Sequence, residues 1–299
     1  LSYTKIQWGT VFSFFLLDFI WIYFSSLFFI YDKELSLYVV IGLFVFFFPY
    51  LFYKLFRPDP RIVSLLESLV FILIFVQLMI VFSFLVATLN YPLVDSSLAL
   101  TDSYFRINTA EIVSWFRAHK KWLNFVTYFY NSFLYQFPFV IFYFSSRGDV
   151  VTLQRFIMQF MMALSLTIIL SGVLPALGAY VWYGYTPSIE LGNALDQLVE
   201  LREGILNISK RNGIVTFPSF HAIMALIFIY TFRSQRLYIF IPILILNVLL
   251  IGSCLPIGEH YFADLLGAIP VFLLTIWIDS IIYSSLVQKP IMFKSKTAS

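Results

Sequence analysis

Two short motifs hold the residue types best suited to chemistry in this chain. They are Phe217-Pro218-Ser219-Phe220-His221-Ala222 and Gly258-Glu259-His260-Tyr261-Phe262-Ala263-Asp264. Histidine exchanges protons near neutral pH, and an imidazole oriented by a carboxylate is a competent nucleophile toward phosphorus. His260 and Asp264 are four apart, a spacing that brings side chains together on one helical face. Pro218 suits a first helical turn, and Ser219 adds a hydroxyl where free N–H groups and the helix dipole favour an anion. The pattern points to phosphoryl transfer, with His260 attacking, Asp264 orienting its ring and His221 protonating the departing oxygen. Each histidine taken alone reads equally well as a hydrogen-bonded residue of a packed bundle. Two further readings stand beside phosphoryl transfer: His221, His260 and Asp264 as ligands of zinc or iron, and a proton relay in a transporter. A helix-opening Pro-Ser serves an anion better than a cation, so neither metal nor cofactor is expected. The motifs cluster at one face and no inverted repeat of interrupted spans is visible, which tells against transport.

The motifs also resemble a known family. Pro218-Ser219-Phe220-His221 is similar to the P-S-x-H motif of the type-2 phosphatidic acid phosphatase superfamily, and His260-Tyr261-Phe262-Ala263-Asp264 to its H-Y-x-x-D motif. The fuller form resembles a branch containing inositol phosphorylceramide synthases and many bacterial membrane phosphatases. The resemblance implies a nucleophilic His260, an assisting Asp264, a general-acid His221 and a six-helix catalytic core. Two family features are missing. The Ser-Arg that precedes the nucleophile by six residues is Ser253-Cys254 here, and the only Arg-Pro, Arg57-Pro58, has Lys54 at the wrong spacing for the K-x6-R-P motif.

The elements that must position these residues are membrane helices. The chain is 61% hydrophobic and only 12% charged, far from the soluble average. Its net charge of +3 lies in short loops rather than in a stripe suited to nucleic acid. Apolar runs are read at 9–31, 36–56, 62–89, 122–145, 156–183 with a kink at Pro175, 218–232, 237–255 and 259–285. The expected fold is therefore an all-α polytopic bundle of about eight spans. Residues 1–61 would form two accessory helices, and 62–299 the catalytic domain with outer loops 91–121 and 184–214. Loops on one side carry eleven Lys and Arg residues, those on the other eight, mostly within the two longer loops. Both termini are accordingly placed in the cytoplasm and both histidines on the outer face. That face is periplasmic in a bacterial inner membrane, lumenal in a eukaryote.

With the usual arginine missing, the cation for a phosphate is sought in the second outer loop. Arg202 is the first choice, beside Lys210 and Arg211, with Ser219 as a further phosphate contact. Asn108 and Glu111 make a capping box for an amphipathic helix carrying Trp115, Phe116 and Arg117, expected in the headgroup plane. His119 reads as an interfacial residue and Cys254 as filler at the bundle rim. Glu67 and Asp279 are expected to reach water near the inner ends, and Asp18 to pair with a neighbouring helix. From Pro218 to Phe232 is about 22 Å of helix, against roughly 30 Å of hydrocarbon. His221 would thus lie within the outer leaflet, open to sideways approach of a membrane lipid bearing a phosphate or pyrophosphate. Oligomeric state is not legible.

Overall fold

In the hydrocarbon core a backbone must close its own hydrogen bonds, so long apolar runs become helices. A computed structural model describes residues 2–30, 33–186, 189–208 and 213–287. In chain order the elements are α1 (Tyr3–Phe24), β1 (Phe28–Ile30), α2 (Lys33–Phe56), α3 (Pro60–Ala87), α4 (Asp95–Tyr104), α5 (Thr109–Ala118), α6 (Lys120–Ser146), α7 (Val150–Val173), α8 (Ala179–Trp182), α9 (Ile189–Arg202), β2 (Ile205–Asn207), α10 (Phe220–Phe232), α11 (Leu237–Ile257) and α12 (Phe262–Val287). The eight expected runs each hold a long helix or the short α10. Five of these, α1, α3, α7, α11 and α12, are long and apolar enough to cross a membrane. The fold is an all-α polytopic bundle.

Local chemistry sets the ends. Asp59 caps α3 through the Arg61 N–H, with Pro60 in its first turn, and Asp149 caps α7 through the Thr152 N–H. The expected kink at Pro175 is instead a break: α7 stops at Val173, and α8 begins only after Gly178. Proline disfavours helical conformation in the residue before it, and Leu174, at φ −122° and ψ 64°, leaves the helix. The run from residue 9 likewise does not continue to residue 31. Phe28–Ile30 pairs in parallel with Ile205–Asn207, tying the N-terminal part to the stretch after α9.

Helices in lipid associate by packing rather than by a hydrophobic drive, so shape decides their contacts. α3, α6, α7 and α10 interlock through aromatic rings, with Phe75 against Phe160, Phe137 against Phe156 and Phe160, and Phe156 against Phe228. Such pairs contribute about 0.5–1.5 kcal/mol each.

Two expectations about acidic residues in the helices are corrected. Asp279 does not reach water: it is fully buried and accepts from Arg155 at 2.6 Å, from Gln159 and from the Tyr3 hydroxyl. Glu67 keeps 15% of its side chain exposed while accepting from Tyr50, with Lys54 at 4.0 Å. Among the described residues Asp18 pairs with no neighbouring helix, for both its oxygens are buried without a hydrogen-bond partner. Helices packed through large apolar side chains present no donor at that depth.

Candidate active site

Two helix starts and one turn build the site. Ser219 caps α10, accepting from the Ala222 N–H, so the helix opens one residue before His221. Pro218 precedes the cap rather than filling the first turn. The Ser219 N–H donates to the Asp264 carbonyl at 3.1 Å, which locks the two motifs together. Gly267 permits that contact: a Cβ there would fall 2.6 Å from the Phe217 ring. Gly258 ends α11 at φ +89°, a conformation that favours glycine. His260 and Tyr261 follow it and precede α12, so His260 stands before the helix rather than on its face. Asp264, in the first turn, still reaches it.

The Asp264 Oδ2 accepts from His260 Nδ1 at 3.0 Å and from the Tyr261 N–H at 2.9 Å. The ring is thereby oriented through Nδ1, with a further hydrogen bond to the Thr216 backbone, and Nε2 is the candidate nucleophile. His260 is buried. Burial lowers the pKa of its imidazole, but the hydrogen bond and charge of Asp264, aided by Glu259, outweigh it and raise the pKa above the ordinary 6.5. The His221 ring lies 6.2 Å from that of His260, close enough for one phosphoryl group to touch both. Tyr130 stacks on His221 at 4.1 Å, and its hydroxyl donates to Glu259 Oε2 at 2.6 Å.

A cleft of about 560 Å³ meets this pair. His221, His260 and Glu259 lie in its wall together with Tyr130, and apolar side chains of α3, α6 and α7 make most of the remainder. A second recess, of about 40 Å³, touches His260 and Glu259 from the other side and is bordered by α9 and residues 213–216. Among the described residues, neither cavity is lined by lysine or arginine, and no group of three or more His, Cys, Asp or Glu is arranged to hold a metal ion.

A sequence profile of the PAP2 superfamily matches residues 96–278, a stretch that holds both motifs. The chain belongs to the PAP2 superfamily. No curated protein matches it, and neither does any solved structure. Membership brings phosphatase-type chemistry to a multi-pass membrane protein, and the apolar helices agree.

This PAP2 chain brings His221, His260 and Asp264 together. Ser219 is fully buried at the α10 cap beside Cys254, and lines neither cavity. Cys254 is no rim residue: it is buried among Tyr130, Ala225 and Leu250. Arg202 is not brought to the histidines; both its terminal nitrogens donate to the Tyr91 carbonyl at 3.1 Å. Lys210 and Arg211 lie outside the described residues. The loop helices do not simply connect. Asn108 caps α5 through Glu111 N–H as its spacing predicts, and Val113 on that helix packs on the Gly258 turn.

Four residues that the motifs did not single out hold the site. Asp95 accepts from the Leu177 and Gly178 N–H groups and from the Tyr261 hydroxyl at 2.8 Å. Asp102 accepts from Thr109 and from the Ala263 N–H at 3.0 Å. These two carboxylates clamp the residues on either side of Phe262, between His260 and Asp264. Tyr130 and Glu259 are the others. Glu259 stands within the quoted motif, while the aspartates are signalled only as two acids within an outer loop.

Proposed function

We propose that this PAP2 protein cleaves a phosphate ester or pyrophosphate of a membrane lipid through a phosphohistidine, without metal. His260 Nε2 attacks phosphorus, the bond to the departing oxygen breaks, and His221 supplies that oxygen's proton. An acceptor hydroxyl then attacks the phosphohistidine, its proton passing to His221, and His260 is restored. The observation that carries this reading is the His260–Asp264 hydrogen bond through Nδ1 with the His221 ring 6.2 Å away, at the polar part of an otherwise apolar cleft.

Water as acceptor makes the protein a lipid phosphatase. A lipid hydroxyl makes it a headgroup phosphotransferase of the inositol phosphorylceramide synthase type, by the same intermediate. Residues 1–61 serve as accessory helices to a catalytic domain in 62–299. The histidines face the periplasm of a bacterial inner membrane, or the lumen in a eukaryote. The test is turnover of long-chain lipid phosphates in bilayers with phosphate and lipid products followed together. Activity is expected to persist in excess chelator and to vanish in folded His260→Ala protein. Strict metal dependence, or full activity of that variant, overturns the reading.

A further inference from the structure

His221 stands in the first turn of α10, where the Ser219 cap fixes the backbone. A fixed backbone still leaves the ring a choice of rotamers. Among the described residues, aromatic faces settle that choice. Tyr130 lies nearly parallel to the imidazole, with 4.1 Å between centroids and 22° between planes, and Phe133 leans on it at 5.1 Å. Both rings come from α6 and are three residues apart, so they share one face of that helix.

Tyr130 is itself held at both ends. Its body is buried against Ala225 of α10 and against Leu250 and Cys254 of α11. Its hydroxyl donates to Glu259 Oε2 at 2.6 Å, across 129 residues of chain, and Glu259 directly precedes His260. The ring that supports one histidine is thus fastened beside the other. Two effects follow for a proton donor. A parallel ring face sets the plane of the imidazole, and with it the direction in which the proton points. An imidazolium is also drawn to the electron-rich face of a tyrosine more strongly than a neutral imidazole is, so the stack favours the form that can donate.

Resting on the proposed phosphohistidine chemistry, we propose that Tyr130 is the positioning residue of the general acid. Its ring sets the plane of His221 and favours the protonated form, and Glu259 fixes that ring relative to His260. Tyr130 acts through His221 rather than on the reacting atoms. Its influence is therefore large where the departing oxygen needs a proton as its bond to phosphorus breaks, and small where it does not.

Two departing oxygens on one hydrocarbon chain make the test. A long-chain alkyl phosphate departs as an alkoxide unless it is protonated, whereas a nitrophenyl phosphate carrying the same chain departs as a stable phenolate. Tyr130→Leu, Tyr130→Met, Tyr130→Phe and His221→Ala are assayed on both substrates in bilayers. The quantity read is the ratio of alkyl to nitrophenyl kcat/KM, which does not depend on the share of protein that is folded. His221→Ala is expected to lower the ratio by at least about 10²-fold. Each ring-less Tyr130 variant is expected to lower it by about tenfold, while Tyr130→Phe, which keeps the stack, stays within about threefold of the unaltered protein. Two ring-less variants are used so that poor folding of one leaves the other to decide. An unmoved ratio in them overturns the inference, because any loss is then structural. So does a fall in Tyr130→Phe equal to theirs, because the hydroxyl rather than the ring face is then responsible. A split in His221→Ala with none in the ring-less variants overturns this inference alone, whereas no split in His221→Ala overturns the acid role of His221 together with it.

Discussion

Asp264 lies in the first turn of α12 and Asp279 about four turns further along, and neither has any solvent exposure. Their surroundings could hardly differ more. Asp279 is closed off by a guanidinium, an amide and a phenol, and the permanent charge of Arg155 balances it at 2.6 Å. Asp264 meets no permanent cation among the described residues. Its Oδ2 serves an imidazole and one backbone N–H, and its Oδ1 has no partner. An aspartate matched to a fixed charge fastens helices, here α1, α7 and α12. One matched to a titratable ring leaves the ring's charge adjustable, and that ring borders the cleft.

The sharpest way to break this contrast is to delete each carboxylate. Asp279→Ala strands the Arg155 charge and is expected to cost about 3–5 kcal/mol of stability, the scale of a severed buried pair, read by thermal or denaturant unfolding in detergent. Asp264→Ala is expected to lower turnover by at least about 10²-fold while the protein remains folded, since the ring loses its orienting partner. Exchange of these two phenotypes would dissolve the distinction.

A smaller effect separates the charge of Asp264 from its hydrogen bond. Protonation of His260 removes the nucleophilic lone pair, so activity falls on the acid side. Because the pKa of His260 is raised above 6.5, the acid limb of kcat/KM should lie above pH 6.5. In Asp264→Asn burial is no longer opposed by the carboxylate, and the limb of the residual activity should move to lower pH. Ionisation of the substrate phosphate is common to both proteins and cancels in the comparison. An unmoved limb would mean that His260 is not the group being titrated.

The smallest effect concerns a third carboxylate. Asp18 has no partner among the described residues, so Asp18→Leu should leave activity alone and raise stability by about 1–3 kcal/mol, the cost of an unsatisfied buried polar group. Loss of stability would reveal a partner that the packing of α1 does not show.

What the sequence made legible follows from distance along the chain. Helix positions come from local apolar runs, and the His260–Asp264 pair from a spacing of four. The capping box of α5 is equally local. The clamps are not. Asp95 meets Tyr261 across 166 residues and Arg155 meets Asp279 across 124, separations that leave no periodic mark. Pro175 shows the other limit: a proline in an apolar run signals a kink or an end alike, and only the polar turn that Asp95 holds after it decides for the end. For Arg202 the sequence supplied a charge of the right sign, while the fold spends its guanidinium on the Tyr91 carbonyl.

The central claim is that His260, not a carboxylate or a metal-bound water, carries the phosphoryl group. Rapid quenching of the protein in bilayers with a lipid phosphate labelled on phosphorus tests it directly. The expected result is protein-bound label that is labile in acid and stable in alkali, mapped to the peptide containing His260 and absent from folded His260→Ala. Label on another residue, or turnover without any bound label alongside full activity of His260→Ala, would contradict it.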